Sequence, residues 1–150
     1  MAAYTGMGVG TTEISHSDKG QFFRIKHRLT VATEMAKHTT PTANGYFTAN
    51  DTIELFRWPA NCAPLGFISK IITACSVAAT LDVGVTAGST ELEDAIPLSA
   101  AADTVLWKQV ADVSYAAGFE AGTTIYGQFL TANAADGDLW LVTLGVDLQL

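Results

Sequence analysis

The run ANDTIELFRWP spans residues 49–59, and the run ATLDVGV follows at residues 79–85. Apolar and polar side chains alternate in both runs, and turn-forming residues bound each of them. Such alternation is typical of a strand with one buried face, because successive side chains of a strand point to opposite sides. Neither run contains an obvious catalytic residue. The two runs therefore predict architecture: two half-buried strands with a buried segment between them.

The remaining chain repeats this strand-like pattern. Residues 21–31 alternate cleanly, with an apolar face that also holds His27. The opposite face is a basic stripe formed by Arg24, Lys26 and Arg28. Residues 65–76 are nearly continuous in apolar character, and their β-branched residues favour a strand buried on both faces over a buried helix. With about eight strands, short turns and no long helix, the sequence predicts an all-β, single-domain antiparallel β-sandwich or jelly roll.

The C-terminal part contains the clearest turn signal. Residues 123–132 and 139–150 read as strands, and the segment NAADGD at residues 133–138 joins them, which predicts a β-hairpin. The last strand alternates throughout. One of its faces is apolar and consists of Trp140, Val142, Leu144, Val146, Leu148 and Leu150.

The first twenty residues differ from the rest, because they are rich in Gly, Thr and Ser and lack apolar periodicity. We expect residues 1–20 to form an extended N-terminal arm and residues 21–150 to form the sandwich domain. The arm contains four isolated apolar residues: Tyr4, Met7, Val9 and Ile14. An arm of this length is either disordered or ordered by a neighbouring molecule.

Composition and charge limit the possible functions. Hydrophobic residues make up 49% of the chain and charged residues only 15%, below the roughly 25% of an ordinary soluble domain, which suggests that other subunits cover much of the surface. Residues 1–74 have a net charge of +2 and residues 75–150 one of −9. The total of −7 argues against nucleic acid as the main partner, since phosphate binding requires a basic surface.

The sequence contains no run of about 18 apolar residues, so no membrane span is predicted. The N-terminus has neither the basic nor the apolar region of a secretory signal, so we expect synthesis and assembly in a cytoplasm. Cys62 and Cys75 could form a disulfide by count, but a cytoplasmic location favours two reduced, buried thiols.

Candidate chemical sites are weak. His16, His27 and His38 are evenly spaced, but they fall on an arm, a strand and a loop, so no metal site is predicted. The segment Asp136-Gly137-Asp138 offers oxygen ligands that calcium prefers, yet it lacks the further carboxylates of a dedicated loop, which favours a plain turn. Nucleotide-binding and hydrolase motifs are absent from the sequence. We therefore predict no enzymatic activity and no cofactor.

The basic stripe has two interpretations. Three charges on an outer or edge strand can be a solvated face that discourages edge-to-edge aggregation. Alternatively, the stripe contacts an acidic neighbour. The chain has more aromatic residues, Trp58 among them, than we expect one small sandwich to bury. Aromatic residues concentrate at protein interfaces, so some of them are candidates for contacts with other subunits.

Several motifs resemble those of small structural proteins of tailed bacteriophages. They are NDTIEL at residues 50–55, the turn WPA at 58–60, the apolar strand at 65–73, TLDVG at 80–84 and GDLWLV at 137–142. The resemblance covers residues 44–150 and implies a jelly-roll-like sandwich. Members of this family include capsid decoration, or cement, proteins, which lie on the outer shell and lock neighbouring capsomers together.

The resemblance implies a structural virion protein that binds the outer surface of an assembled phage head and stabilises contacts between capsid subunits. Its expected partners are the major capsid protein and further copies of itself, as a dimer or trimer, without nucleic acid or membrane. It would lie on the capsid surface after assembly in the bacterial host cytoplasm. The expected contact residues are Tyr4, Met7, Val9, Ile14, Arg24, Lys26, Arg28 and Trp58.

An alternative function is that of a virion carbohydrate-binding module. Such a module would be a jelly roll on a fibre or baseplate that recognises a host receptor through loop aromatics, with calcium at Asp136 and Asp138. Calcium-dependent glycan binding distinguishes this alternative from a cement protein.

Overall fold

The computed structural model describes residues 3–4, 22–111 and 118–148. Nine strands lie within these ranges. They are Ala3–Tyr4 (β1), Phe22–Thr30 (β2), Thr52–Trp58 (β3), Cys62–Thr73 (β4), Thr80–Gly84 (β5), Glu93–Pro97 (β6), Val105–Gln109 (β7), Thr123–Leu130 (β8) and Asp138–Asp147 (β9). The connections include the short helices Val31–Met35 (α1) and Thr39–Asn44 (α2) and the 3₁₀ helix Phe119–Ala121. Among the described residues, no helix combines the length and the apolar character needed to cross a membrane.

The strands form two sheets with the order β1-β3-β8-β5-β6 and β2-β9-β4-β7. All pairings among β2 to β9 are antiparallel, and the order of these eight strands is that of a jelly roll built from two Greek keys. The predicted antiparallel sandwich of about eight strands is confirmed. Of the predicted arm at residues 1–20, only Ala3–Tyr4 is described, and it pairs in parallel with Thr52 and Ile53 of β3.

Large apolar side chains from both sheets fill the space between them. The rings of Phe47 and Phe129 stack with centroids 4.7 Å apart. Trp58 packs against Phe23 at 5.4 Å and against Phe119 at 5.5 Å. Full burial of one such side chain contributes about 1.5–3 kcal/mol. The contact of Phe23 with Trp58 joins the two sheets, and Phe47 and Phe119 pack the connections against the same core.

Helices α1 and α2 occupy the polar segment between β2 and β3, where the sequence analysis placed a loop carrying His38. Helix α2 ends at the dipeptide Asn44-Gly45, because Gly45 adopts φ +80° and its backbone N–H donates to the carbonyl of Pro41. Asn-Gly is common in β-turns, but here it marks the end of a helix.

The predicted hairpin at residues 133–138 is wrong. Strand β8 pairs with β3 and β5, whereas β9 pairs with β2 and β4 in the other sheet. The segment between β8 and β9 therefore crosses from one sheet to the other. The segment does contain a backbone conformation typical of turns, because Gly137 has φ +113°. A local turn, however, does not determine which strands pair.

The prediction that residues 65–76 form a strand buried on both faces is also wrong in part. Strand β4 begins earlier, at Cys62, and its burial alternates. Phe67, Ser69 and Ile71 are buried between the sheets, whereas Ile68 and Lys70 are only half-buried on the opposite side. Strand β4 thus exposes part of an apolar outer face.

Candidate contact surface

The basic stripe and the apolar face of the last strand lie on the same side of one sheet. Arg24, Lys26 and Arg28 of β2 are exposed, and they pair in register with Leu144, Val142 and Trp140 of β9. Directly paired residues of neighbouring strands project to the same face of a sheet. The inner side of β9 is lined instead by Leu139, Leu141, Thr143, Gly145 and Asp147, which are all buried.

The outward-facing side chains of β2, β9, β4 and β7 form a continuous surface, which we call the outer sheet face. Its basic members are Arg24, Lys26, Arg28 and Lys70, and its apolar members are Phe22, Ile68, Val105, Trp107, Trp140, Val142, Leu144 and Val146.

Large apolar side chains are conspicuously exposed on this face. Phe22 is 78% exposed, and Val105 and Trp107 are each 57% exposed. Leu65 and Leu148, at the irregularity in β4 and just after β9, are exposed as well. Val77 is the one large hydrophobic residue exposed elsewhere in the described ranges. Monomeric proteins rarely concentrate apolar exposure in this way, and such patches usually mark interaction sites.

Trp107 has a defined place on the face because the neighbouring strand makes room for it. A Cβ atom on Gly66 would lie 2.2 Å from Cη2 of Trp107, well inside any real contact distance. The indole therefore covers the backbone of β4 at Gly66. A larger residue at this position would push Trp107 out of its place.

Cationic side chains contact the half-buried indole of Trp140. The Nζ atom of Lys26 lies 3.8 Å from the ring centroid of Trp140, and Cζ of Arg28 lies 5.7 Å from it. Arg28 also pairs with Asp138, with its Nε donating to Oδ1 at 3.0 Å. This hydrogen bond holds the pKa of Asp138 below its ordinary value. The outer sheet face thus presents charge and aromatic surface in one arrangement.

Trp58 lies away from this surface. Its side chain is buried in the core, and its Nε1 donates a hydrogen bond to the carbonyl of Cys62 at 2.7 Å. Gly145 leaves space for the ring, since a Cβ there would lie 2.7 Å from Cη2 of Trp58. The placement of Trp58 corrects its expected role as a surface contact: it holds the two sheets together.

The expected contact residues of the arm cannot be placed on this surface. Tyr4 belongs to β1, at the edge of the other sheet. Met7, Val9 and Ile14 lie outside the described residues. Among the described residues of the predicted set, the three that lie on this face are Arg24, Lys26 and Arg28.

Sequence reasoning missed the apolar members of the outer sheet face on β4 and β7. The available signal was the strand around Trp107, because Val105 and Trp107 alternate with Leu106 and so place apolar side chains on both of its faces. A second signal was that both faces of β9 carry large apolar side chains. A strand that is apolar on both faces is expected to contact other parts of the protein, or a partner, on both faces.

The candidate calcium ligands do not converge. Asp136 accepts hydrogen bonds at Oδ1 from the backbone N–H of Ser76 at 2.8 Å and from its hydroxyl at 3.1 Å. Asp138 instead pairs with Arg28 on the outer sheet face. Within the described ranges no cluster of three or more His, Cys, Asp or Glu side chains suits a metal ion.

Two of the three histidines lie within the described residues. His27 is buried on the inner side of β2 with its ring 6.0 Å from that of Phe56, and burial lowers its pKa to about 4. His38 contacts the carboxylate of Glu34 at 3.2 Å. His16 lies outside the described residues.

The two cysteines are buried, free thiols. Burial raises the pKa of Cys62 to about 11 and also raises that of Cys75. Both behave as small apolar groups of the core, in agreement with the interpretation that the sequence favoured.

Comparison with known proteins reveals likeness at the level of structure. No protein-family model and no curated protein matches the sequence. A chain from the capsid of Ralstonia phage GP4 is similar with a TM-score of 0.61 and 17% identity, over 97% of this chain and 98% of that one. A chain from the cyanophage Pam1 capsid asymmetric unit is similar with a TM-score of 0.54 and 15% identity, over 89% and 90% of the two chains.

A third similar chain comes from the acidic stable capsid structure of Helicobacter pylori bacteriophage KHP30. Its TM-score is 0.55 at 10% identity, and the likeness covers 88% of this chain and 92% of that one. At identities this low, the likeness concerns the fold. The protein shares its jelly-roll sandwich, over nearly its whole length, with chains of three phage capsids.

Proposed function

We propose that this protein is a structural virion protein that binds the outer surface of an assembled phage head and stabilises contacts between capsid subunits. The observation that carries the proposal is the likeness to chains from three phage capsids, which extends over about nine-tenths or more of each chain. The partners in this proposal are the major capsid protein and further copies of the chain, as a dimer or trimer.

The mechanism in this proposal is mechanical. A rigid sandwich that binds only the assembled shell stabilises that shell by mass action, because any ligand of one state shifts the equilibrium toward it. Many copies on one particle add their contributions through multivalent contact. Catalytic groups play no part, and the buried polar residues serve the fold.

The N-terminal arm is part of the proposal. We expect Tyr4, Met7, Val9 and Ile14 to contact a neighbouring subunit on the head. A variant that lacks residues 2–18 should therefore remain folded by circular dichroism but fail to sediment with heads. Normal attachment of this variant would refute a role of the arm.

The test of the proposed function uses heads assembled without this protein. The purified protein should sediment with such heads and raise the temperature at which they release their contents, and it should not bind unassembled shell subunits. Failure of the full-length protein to sediment with heads would refute the proposal.

Glycan recognition remains a second candidate function, because Trp107 presents an exposed indole on a sheet surface and aromatic faces stack on sugar rings. The head assay separates the two. A carbohydrate-binding module would bind glycans and leave heads without any gain in stability.

A further inference from the structure

We infer that the outer sheet face is the surface that docks on the head shell, and that the shell surface it contacts is apolar in its centre and carries carboxylates opposite Arg24 and Lys26. This inference rests on the proposed function and deepens it, because it fixes which side of the sandwich faces the head.

The distribution of apolar exposure selects this side. Apart from Val77, the large exposed hydrophobic residues of the described ranges all belong to the β2-β9-β4-β7 sheet or to its strand ends. Half-buried Trp140, Val142 and Leu144 connect them into one patch along β9. Binding of a partner that removes such an apolar patch from water lowers the free energy.

Charge identifies the chemistry of the partner. The described carboxylates on the outer sheet face are those of Asp103 and Asp138, and both already pair within the chain, with Lys70 and Arg28. A second copy that packed the same face against this one would bring no additional carboxylate to Arg24 and Lys26. In this inference, an acidic surface of the head shell supplies the complementary charge, and the oligomeric state measured below tests whether a second copy supplies it instead.

The arrangement of the charges suits docking. The ammonium of Lys26 lies over the ring of Trp140, so this cation borders the apolar surface directly. Arg24 is the next outward residue on the same strand, opposite Leu144. An apolar centre with cations along one side corresponds to the usual anatomy of an interface, with a dry core and a polar rim.

The experiment compares variants on the two sides of the sandwich. Arg24→Glu and Trp107→Ser change the outer sheet face, one by charge and one by apolar surface. Their matched controls are Arg57→Glu, an exposed position on β3 of the other sheet, and Val77→Ser, the exposed hydrophobic residue outside the face. All four change exposed side chains, and circular dichroism and thermal melts establish that each variant is folded.

The readout is the dissociation constant for heads assembled without the protein, measured by sedimentation. We expect Arg24→Glu and Trp107→Ser each to weaken binding about tenfold or more, whereas Arg57→Glu and Val77→Ser bind as the unchanged protein does. Should Trp107→Ser fail to fold, Arg24→Glu alone decides the question.

Three results would overturn the inference. Equal binding by all four variants would place the docking surface elsewhere and leave the proposed function intact. Failure of the unchanged protein to bind heads would refute both. A shift to a smaller oligomer in ultracentrifugation, confined to Arg24→Glu and Trp107→Ser, would show that a second copy occupies the outer sheet face.

Discussion

Acidification is expected to weaken the fold through His27. This side chain is buried on the inner side of β2, and Nδ1 is a buried nitrogen without a hydrogen-bond partner in the structure. Desolvation lowers its pKa from 6.5 to about 4, against the opposing field of Glu34 and together with that of Lys37. The folded protein therefore holds His27 neutral where the unfolded chain protonates it.

The sign and size of the effect follow from linkage. A histidine whose pKa is lower in the folded state binds more protons in the unfolded state, so the free energy of unfolding falls as the pH drops from about 6.5 to about 4. Over the full window the loss is about 3 kcal/mol, and between about pH 7 and pH 5 it is about 2 kcal/mol. Below about pH 4 the histidine contributes no further change.

Urea unfolding at about pH 7 and pH 5, followed by tryptophan fluorescence, measures this loss. The control is His27→Leu, which removes the titrating group and keeps an apolar side chain of similar size in the core. The variant should lose much less stability between the two pH values than the unchanged protein. An equal loss in both proteins would refute the assignment of the pH dependence to His27.

Two further predictions concern the core. Gly145→Ala should lower the free energy of unfolding by about 1–3 kcal/mol through overpacking, because its Cβ would lie 2.7 Å from atoms of both Phe23 and Trp58; an unchanged urea midpoint would contradict this packing. Cys62 and Cys75 should resist alkylation in the native protein at about pH 8 and react after denaturation, because both thiols are buried with raised pKa values; rapid labelling of the native protein would show that they are accessible.

Local alternation predicted the strands well where one face is polar. Strand β2 follows its pattern residue by residue, because Phe23, Ile25, His27 and Leu29 are buried and the intervening side chains are exposed or half-buried. The exchange of every side chain that a one-residue slip would cause makes such a pattern strongly specific. The fold class followed from the number of such strands and from the short turns between them.

Long-range pairing could not be predicted in the same way. The turn residues at 133–138 occur both in hairpins and in connections between sheets, and only the partners of β8 and β9 distinguish the two. The burial of Trp58 could not be predicted for the same reason, because it depends on a long-range contact. Its burial depends on Gly145, which lies far away in sequence and provides the space that the indole fills.

The outer sheet face could not be predicted from the sequence for a related physical reason. In β9, Gly145 lies on the inside, where Trp58 of the opposite sheet needs room, and Thr143 belongs to the same buried register. The more apolar register, which includes Trp140 and Leu144, therefore points outward. Alternation identifies the two faces of a strand, but the packing of the facing sheet determines which of them is inside.

The copy number of this protein in purified virions, relative to the major shell protein, tests the central claim most directly. Quantitative mass spectrometry of intact particles provides it. A protein that stabilises contacts between capsid subunits over the head surface should be present in numbers comparable to the shell protein. A few copies per particle, or none, would contradict that role.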